Sequence, residues 1–134
     1  MNAVSENALI MPGNLRFATP PPGLEPAVDF TLAPIPNAVG LFSLTSADGS
    51  IRLFVLDAAT HLPDYSPHQA DADLNQIGTT DATVLVVVTP SAHSTVNLAA
   101  PILLNASTGS ALQVILESSA WPLRAPLAPA STAA

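Results

Sequence analysis

The sequence predicts an all-β domain: a compact antiparallel β-barrel-like or sandwich fold with one or two short helical turns. Short apolar segments recur between turn residues. Thr83–Thr89 is an almost continuous run of β-branched and aliphatic residues. Asp48-Gly49 lies between two such segments, and Asp-Gly favours the positive φ angles of a tight hairpin. A chain of 134 residues suits one domain, so we expect a single domain over 1–127 and a flexible tail over 128–134, which lacks hydrophobic periodicity.

The first predicted strands surround the Asp-Gly turn. Val28–Leu32 is a strand that the following prolines end. Leu41–Thr45 and Ile51–Leu56 form the two arms of the hairpin. The second arm has two largely apolar faces, with Ile51, Leu53 and Val55 on one and Arg52, Phe54 and Leu56 on the other. We therefore expect this strand to be covered on both sides.

The second half of the chain adds a short helix and further strands. Asp71 or Asp73 is predicted to cap a helix that ends at Gly78. Ser94–Leu104 alternates and is predicted to be one strand, bent or at an edge near its proline. Its predicted buried face consists of Val96, Leu98, Ala100, Ile102 and Leu104. After a turn, Leu112–Glu117 alternates again.

The charge balance restricts the possible partners. Three basic side chains face ten acidic ones, giving a net charge of −7. Such a surface repels phosphate, which argues against direct binding of nucleic acid or of anionic membranes. A basic protein, in contrast, is attracted over long range. Residues 1–10 lack a signal-peptide pattern and no apolar run is long enough to span a bilayer, so we expect a cytoplasmic protein that makes no membrane contact.

Catalytic and metal-binding patterns are weak. The loop residues His61, Asp64, Ser66 and His68, and the pair His93-Ser94, have no nucleophile elbow near them. His61, Asp64, His68, Asp71 and Asp73 fit neither a helical histidine pair nor a calcium loop. The absence of cysteine excludes a thiol nucleophile and a zinc–thiolate site. We expect no enzyme activity, no catalytic residue, no metal and no cofactor.

One segment is distinctive enough to identify a family. Residues 94–105, STVNLAAPILLN, resemble the S-T-V-N-L-L-A-P-I-x-x-N segment of the FliW family of flagellar assembly factors. The same order continues with Gly109, QVIL at 113–116 and PLRAPL at 122–127. Upstream, Arg16-Phe17, PGLE at 22–25 and Phe30 resemble the opening of the family, and LFVLD at 53–57 with PDY at 63–65 resembles its central block. The resemblance covers roughly residues 14–127, with departures at Pro20, Ala58 and Ala99.

The resemblance implies a partner-switching role and no catalysis. Proteins of this family bind flagellin and also CsrA, a small basic RNA-binding regulator that represses flagellin translation. Binding of CsrA relieves the repression, and newly made flagellin competes for the factor. We expect a monomer whose partner-binding residues are Asp64, Tyr65, Asp71, Asp73, Asn97 and Asn105.

Other interpretations stay open at this stage. Asn97 and Asn105 are also suited to hydrogen-bonding turns or strand ends. Tyr65 is suited to covering the barrel with its hydroxyl group in water. Trp121 and Arg124 are suited to forming a contact edge near the C-terminus, and Trp121 is suited better to covering the core. Asp64, Asp71 and Asp73 are also ordinary in a solvated loop. As functions, a ligand-carrying β-barrel and a metal-dependent enzyme remain as alternatives.

Overall fold

The computed structural model describes residues 11–90, 94–116, 121–122 and 125–126. The predicted tail, His93 and Arg124 lie outside these residues. Within them the elements follow the order β1 (Asn14–Phe17), β2 (Asp29–Pro34), β3 (Leu41–Ser46), β4 (Arg52–Asp57), α1 (Ala58–His61), α2 (Asp71–Ile77), β5 (Thr83–Thr89), β6 (Thr95–Val96), β7 (Ile102–Leu104), β8 (Ser110–Gln113) and β9 (Ala125–Pro126).

Seven of these strands close into a barrel. Their order is β4-β3-β2-β1-β8-β7-β5, and β5 pairs back onto β4. β6 pairs with the C-terminal end of β5, at Val88 and Thr89, and β9 pairs with β6. Both β6 and β9 therefore lie outside the ring. Each pairing is antiparallel except β1 with β8, which is parallel. The predicted all-β, barrel-like fold with short helices is confirmed.

The barrel interior consists of apolar side chains. Alternate residues of the strands point inward, as the period of two requires. Phe17 and Phe30 meet edge to face, with ring centroids 5.3 Å apart, an arrangement that aromatic pairs prefer. The buried members of this interior cluster are Leu15, Phe17, Phe30, Leu32, Phe42, Leu44, Val55, Leu85, Ile102, Leu104 and Ala111.

Two further apolar clusters lie on the outer side of the barrel. The first, which we call the Tyr65 cluster, has the buried residues Leu56, Val86, Val88, Val96 and Ala125, with Leu41, Phe54, Leu62, Tyr65 and Leu98 against it. The second, the α2 cluster, has the buried residues Leu74, Ile77, Ala82, Leu103 and Leu112, with Val84 and Val114 against it. β4 and β5 thus have apolar contacts on both faces, which confirms the expectation for β4.

The Asp-Gly hairpin forms as predicted between β3 and β4. Gly49 has φ +80°, and its N–H donates to the Ser46 carbonyl at 2.9 Å. Asp48 Oδ1 accepts hydrogen bonds from the Ser50 N–H at 2.9 Å and from the hydroxyls of Ser50 and Ser46, each at 2.7 Å. These bonds favour the ionised carboxylate, with those from Ser50 contributing most, and lower the pKa of Asp48 to about 2.

The prediction of one strand over Ser94–Leu104 is wrong. The segment forms two strands, β6 and β7, with a turn between them. Asn97 Oδ1 accepts hydrogen bonds from the N–H groups of Ala99 at 3.0 Å and Ala100 at 3.1 Å. This side chain offers the backbone an alternative to a ladder. The predicted single face is divided as a result: Val96 joins the Tyr65 cluster, while Ile102 and Leu104 join the interior.

The predicted cap of α2 is also wrong, although its end is confirmed. The N-cap is Ala70, which makes no side-chain capping bond, and Asp71 and Asp73 lie in the first turn instead. Carboxylates there still interact favourably with the free N–H groups of a helix start. Gly78 ends the helix with φ 74°, and Leu74 and Ile77 are buried on one side, as predicted.

Candidate partner-binding surface

The loop that carries Asp64 and Tyr65 is positioned by α1. Asp57 is buried and caps this helix: its Oδ2 accepts from the Thr60 N–H at 3.1 Å and the Thr60 hydroxyl at 2.6 Å. The N–H of Tyr65 then donates to the Leu62 carbonyl at 2.9 Å. The chain therefore turns directly after the helix. Asp64 is left exposed, while Tyr65 is half-buried against the barrel wall.

Tyr65 attaches this loop to the segment between β6 and β7. Its hydroxyl donates to the Leu98 carbonyl at 2.5 Å, so the expectation of a hydroxyl in water does not hold. Its ring meets Trp121 edge to face, with centroids 4.7 Å apart and planes at 89°. Burial raises the pKa of Tyr65 to about 12, because the charged phenolate is the form that loses most from leaving water.

Asn105 attaches the C-terminal end of α2 to the barrel. It is 8% exposed, and its Nδ2 donates to the carbonyls of Ile77 at 2.9 Å and Gly78 at 3.3 Å. Its Oδ1 accepts from the N–H groups of Ser107 at 3.0 Å and Thr108 at 3.3 Å. The amide thus links the C-terminus of α2 to the β7–β8 turn. Partner contact by Asn97 and Asn105 stays a prediction. In the structure both side chains form hydrogen bonds within the chain.

An open groove lies beside the start of α2, and we call it the Trp121 groove. Its volume is about 250 Å³, and its lining consists of His68, Ala70, Asp73, Val114, Ile115, Leu116 and Trp121. Ile115 is 64% exposed. Sequence reasoning missed this residue, although it occupies the outward position between Val114 and Leu116. Trp121 thus contacts the Tyr65 ring and also lines the same groove as Asp73.

The predicted acidic residues lie at the surface. Asp64 and Asp71 are exposed and Asp73 is partly exposed. Within the described part of the chain, the one ion pair joins Arg16 to Asp29 at 3.5 Å, and Arg52 lies over the Phe54 ring at 4.9 Å. Neither arginine lines the Trp121 groove. Within the described residues, none of the three carboxylates therefore forms an ion pair with an arginine.

The histidine and carboxylate positions offer no assembled chemical site in the described ranges. His61 Nε2 lies 2.6 Å from the Val39 carbonyl oxygen, a contact that attaches α1 to the β2–β3 loop. No group of three histidine, aspartate or glutamate side chains among the described residues is placed to hold a metal ion. The barrel interior is occupied by side chains of the protein itself. No helix among these residues has the length and apolarity of a membrane crossing.

Comparison with known proteins agrees with the resemblance. The family model described as FliW protein matches residues 3–127. The flagellar assembly factor FliW of Syntrophotalea carbinolica is 35% identical over 111 residues, which cover 78% of this chain and 79% of the relative. That of Exiguobacterium sp. strain AT1b is 32% identical over 120 residues, covering 84% and 82%.

A solved structure gives the same answer for the fold. The crystal structure of the flagellar assembly factor FliW superimposes with a TM-score of 0.79 at 24% identity, covering 87% of this chain and 86% of that chain. At that identity the likeness supports the fold alone, and the family assignment depends on the matching model and on the relatives. The chain belongs to the FliW family of flagellar assembly factors.

Proposed function

We propose that this flagellar assembly factor binds flagellin and CsrA in turn, and that it antagonises the repression of flagellin translation by CsrA. The observation that carries the proposal is the exposure of three carboxylates, those of Asp64, Asp71 and in part Asp73, on a chain of net charge −7. We call these three carboxylates the acidic surface. A basic RNA-binding protein is attracted to such a surface. Once bound, the acidic body raises the electrostatic cost of bringing RNA to the same place.

The placement of the three carboxylates supports a role in recognition rather than in folding. They are solvent-exposed or partly so, and no hydrogen bond or ion pair in the described part of the chain uses their side-chain oxygens. Exposed carboxylates of this kind contribute little to stability. They remain available to speed association, which depends on the summed field of the protein. We propose that the protein acts as a monomer in the cytoplasm, where flagellin is translated.

The test is association kinetics with the cognate CsrA and flagellin over a salt series. Attraction between opposite charges is screened over roughly 8–10 Å at physiological ionic strength. We expect the CsrA on-rate to fall about tenfold from low to physiological salt, with a much smaller change in the off-rate. Replacing Asp64, Asp71 and Asp73 together by Asn should slow CsrA association about threefold at low salt. It should leave the unfolding curve unchanged.

A charge-matched control separates a local surface from net charge. Glu25→Gln, Asp29→Asn and Asp48→Asn remove the same number of charges around a different surface depression, which Asp29 and Asp48 line. We expect this control to retain most of the CsrA on-rate. Equal slowing in both triple variants means that net charge acts without a defined surface. Absence of CsrA binding, or CsrA association that ignores salt, contradicts the proposed mechanism and leaves flagellin binding as the remaining function.

A further inference from the structure

The Trp121 groove has an apolar floor that the described chain leaves open. Val114 packs against the α2 cluster, and Leu116 is half-buried. The segment is held by hydrogen bonds from the Val114 N–H to the Pro101 carbonyl at 3.0 Å and from the Leu116 N–H to the Ala99 carbonyl at 2.7 Å. Since these bonds fix the alternation, Ile115 must point outward, where it is 64% exposed. Large aliphatic side chains held in this way mark contact surfaces when they adjoin other apolar groups.

The size of the groove indicates the type of ligand. A volume of about 250 Å³ lies below the roughly 300–1,000 Å³ of pockets that enclose small molecules. It exceeds the roughly 150 Å³ cavity that accepts a benzene ring. The groove therefore has room for one or two aliphatic side chains from another protein.

The charge beside the groove indicates what accompanies the aliphatic group. Asp73 lines the groove, and Asp71 precedes it on the same turn of α2. Trp121 lines the same groove, and an indole ring attracts cations through its face. Neither described arginine lines the groove. A lysine or arginine next to the aliphatic side chain of a partner therefore meets both a carboxylate and an indole in the lining of the groove.

We propose that the Trp121 groove binds a segment of the basic partner, in which one or two aliphatic side chains pack on Ile115 and an adjacent basic side chain pairs with Asp73. The proposal builds on the proposed function, because it gives CsrA a defined docking site. The acidic surface then governs the rate of encounter, and the groove governs the lifetime of the complex.

The experiment uses Trp121, the one tryptophan in the chain, as a reporter in the full-length protein. Cognate CsrA is titrated while indole fluorescence is followed, using a CsrA variant without tryptophan if the natural protein contains one. We expect a saturable change in emission. Ile115→Ser should raise the Kd about tenfold, mainly through faster dissociation, because an aliphatic side chain is no longer buried. Asp73→Asn should raise the Kd by about threefold to tenfold.

Val39→Ser is the matched control. Val39 is 77% exposed and lines a different groove of about 360 Å³ together with Met11, Ile35 and Phe42. We expect V39S to bind CsrA as the wild type does and all variants to retain the wild-type melting temperature. CsrA binding without a change in Trp121 emission, or with wild-type affinity in I115S and D73N, overturns the groove proposal while the proposed function stands.

Three further outcomes identify a different occupant. A response of Trp121 to flagellin alone assigns the groove to flagellin and contradicts a basic partner. A change in emission on removing residues 128–134, with no partner present, assigns the groove to the tail of the chain itself. A change that depends on the concentration of the protein alone assigns it to a second copy. If neither CsrA nor flagellin binds at all, the proposed function fails and this proposal fails with it.

Discussion

The two faces of β5 are held in different ways. On the inner face, Leu85 is 0% exposed within the interior cluster, where seven paired strands supply apolar neighbours on all sides. On the outer face, Val86 and Val88 lie in the Tyr65 cluster. This cluster contains strand residues, among them Val96 of β6 and Ala125 of β9, and also residues of non-strand segments, namely Leu62, Tyr65 and Leu98. The Tyr65 hydroxyl attaches one such segment, and the Asn105 amide attaches α2 nearby. The inner face of β5 is thus stabilised by close packing of apolar side chains. The segments that cover its outer face are attached by a few hydrogen bonds.

Leu85→Ala tests the inner face and should have the largest effect. It leaves a cavity among residues that closed strands prevent from collapsing, so we expect a loss of about 3 kcal/mol in the free energy of unfolding. Urea denaturation followed by Trp121 fluorescence measures it. Val39→Ala, at an exposed position, should change stability by less than about 0.5 kcal/mol. A loss at Leu85 similar to that at Val39 would mean that the interior is loosely packed.

Asn105→Ala tests the outer face through α2 and should have an intermediate effect. It removes two donated and two accepted hydrogen bonds from a buried position, so we expect a loss of about 2 kcal/mol. Hydrogen exchange of the backbone amides should accelerate more in α2 than in β5.

Asn105→Asp is the matched variant, because it keeps the acceptor for Ser107 but brings a carboxylate against the Ile77 and Gly78 carbonyls. It should be at least as destabilising as Asn105→Ala if donation is the main contribution. If hydrogen exchange accelerates equally in α2 and in β5 in both variants, Asn105 does not act locally on α2.

Tyr65→Phe should have the smallest effect at neutral pH. It removes one hydroxyl and leaves the Leu98 carbonyl without that donor, at a cost of about 1 kcal/mol. Its pH dependence is more specific. The pKa of Tyr65 is raised from 10.0 to about 12 in the folded protein. The unfolded chain therefore loses its proton first, and stability is fully present below pH 10 and falls as the pH rises towards 12.

The titration can be measured directly, since Tyr65 is the one tyrosine of the chain. Phenolate absorbance should rise with a midpoint near pH 12 in the folded protein and near pH 10 in urea. The decline in stability above pH 10 should be weaker in Y65F. A midpoint at pH 10 in the folded protein would show that the hydroxyl is exposed. The Tyr65 hydrogen bond would then not help to hold the segments that cover the outer face of β5.

Much of the fold was predictable because local signals and tertiary contacts agree. Thr83–Thr89 forms β5 with the predicted bounds, because this run of β-branched and aliphatic residues has apolar contacts on both faces. Asp48-Gly49 turns where its conformational preference requires. The prediction failed over Ser94–Leu104, because alternation alone cannot reveal that the Asn97 side chain competes with a ladder. It also failed at the start of α2, where Ala70 takes the cap although better capping residues follow.

The candidate site was predictable only in part. Exposure of Asp64 and Asp71 follows from their charge and from the loop sequence around them. The groove joins Asp73, Ile115 and Trp121, which are distant in the chain, and it exists because strand pairing places β8 next to α2. No local pattern encodes such a meeting. The family resemblance suggests the class of partner, and the structure adds a groove with room for an aliphatic side chain.

The parallel pairing of β1 with β8 also has a consequence for biosynthesis. The backbone N–H groups of Arg16 in β1 and of Ala18 directly after it donate to the carbonyls of Gly109 and Ala111. At roughly 5–20 residues per second, the roughly 95 intervening residues take on the order of 5–20 s to translate. During that time one edge of β1 has no partner strand. Arg16, whose side chain is 75% exposed and pairs with Asp29 of β2, keeps a charged side chain in β1 during this time, and charged side chains on an unpaired strand discourage pairing between nascent chains.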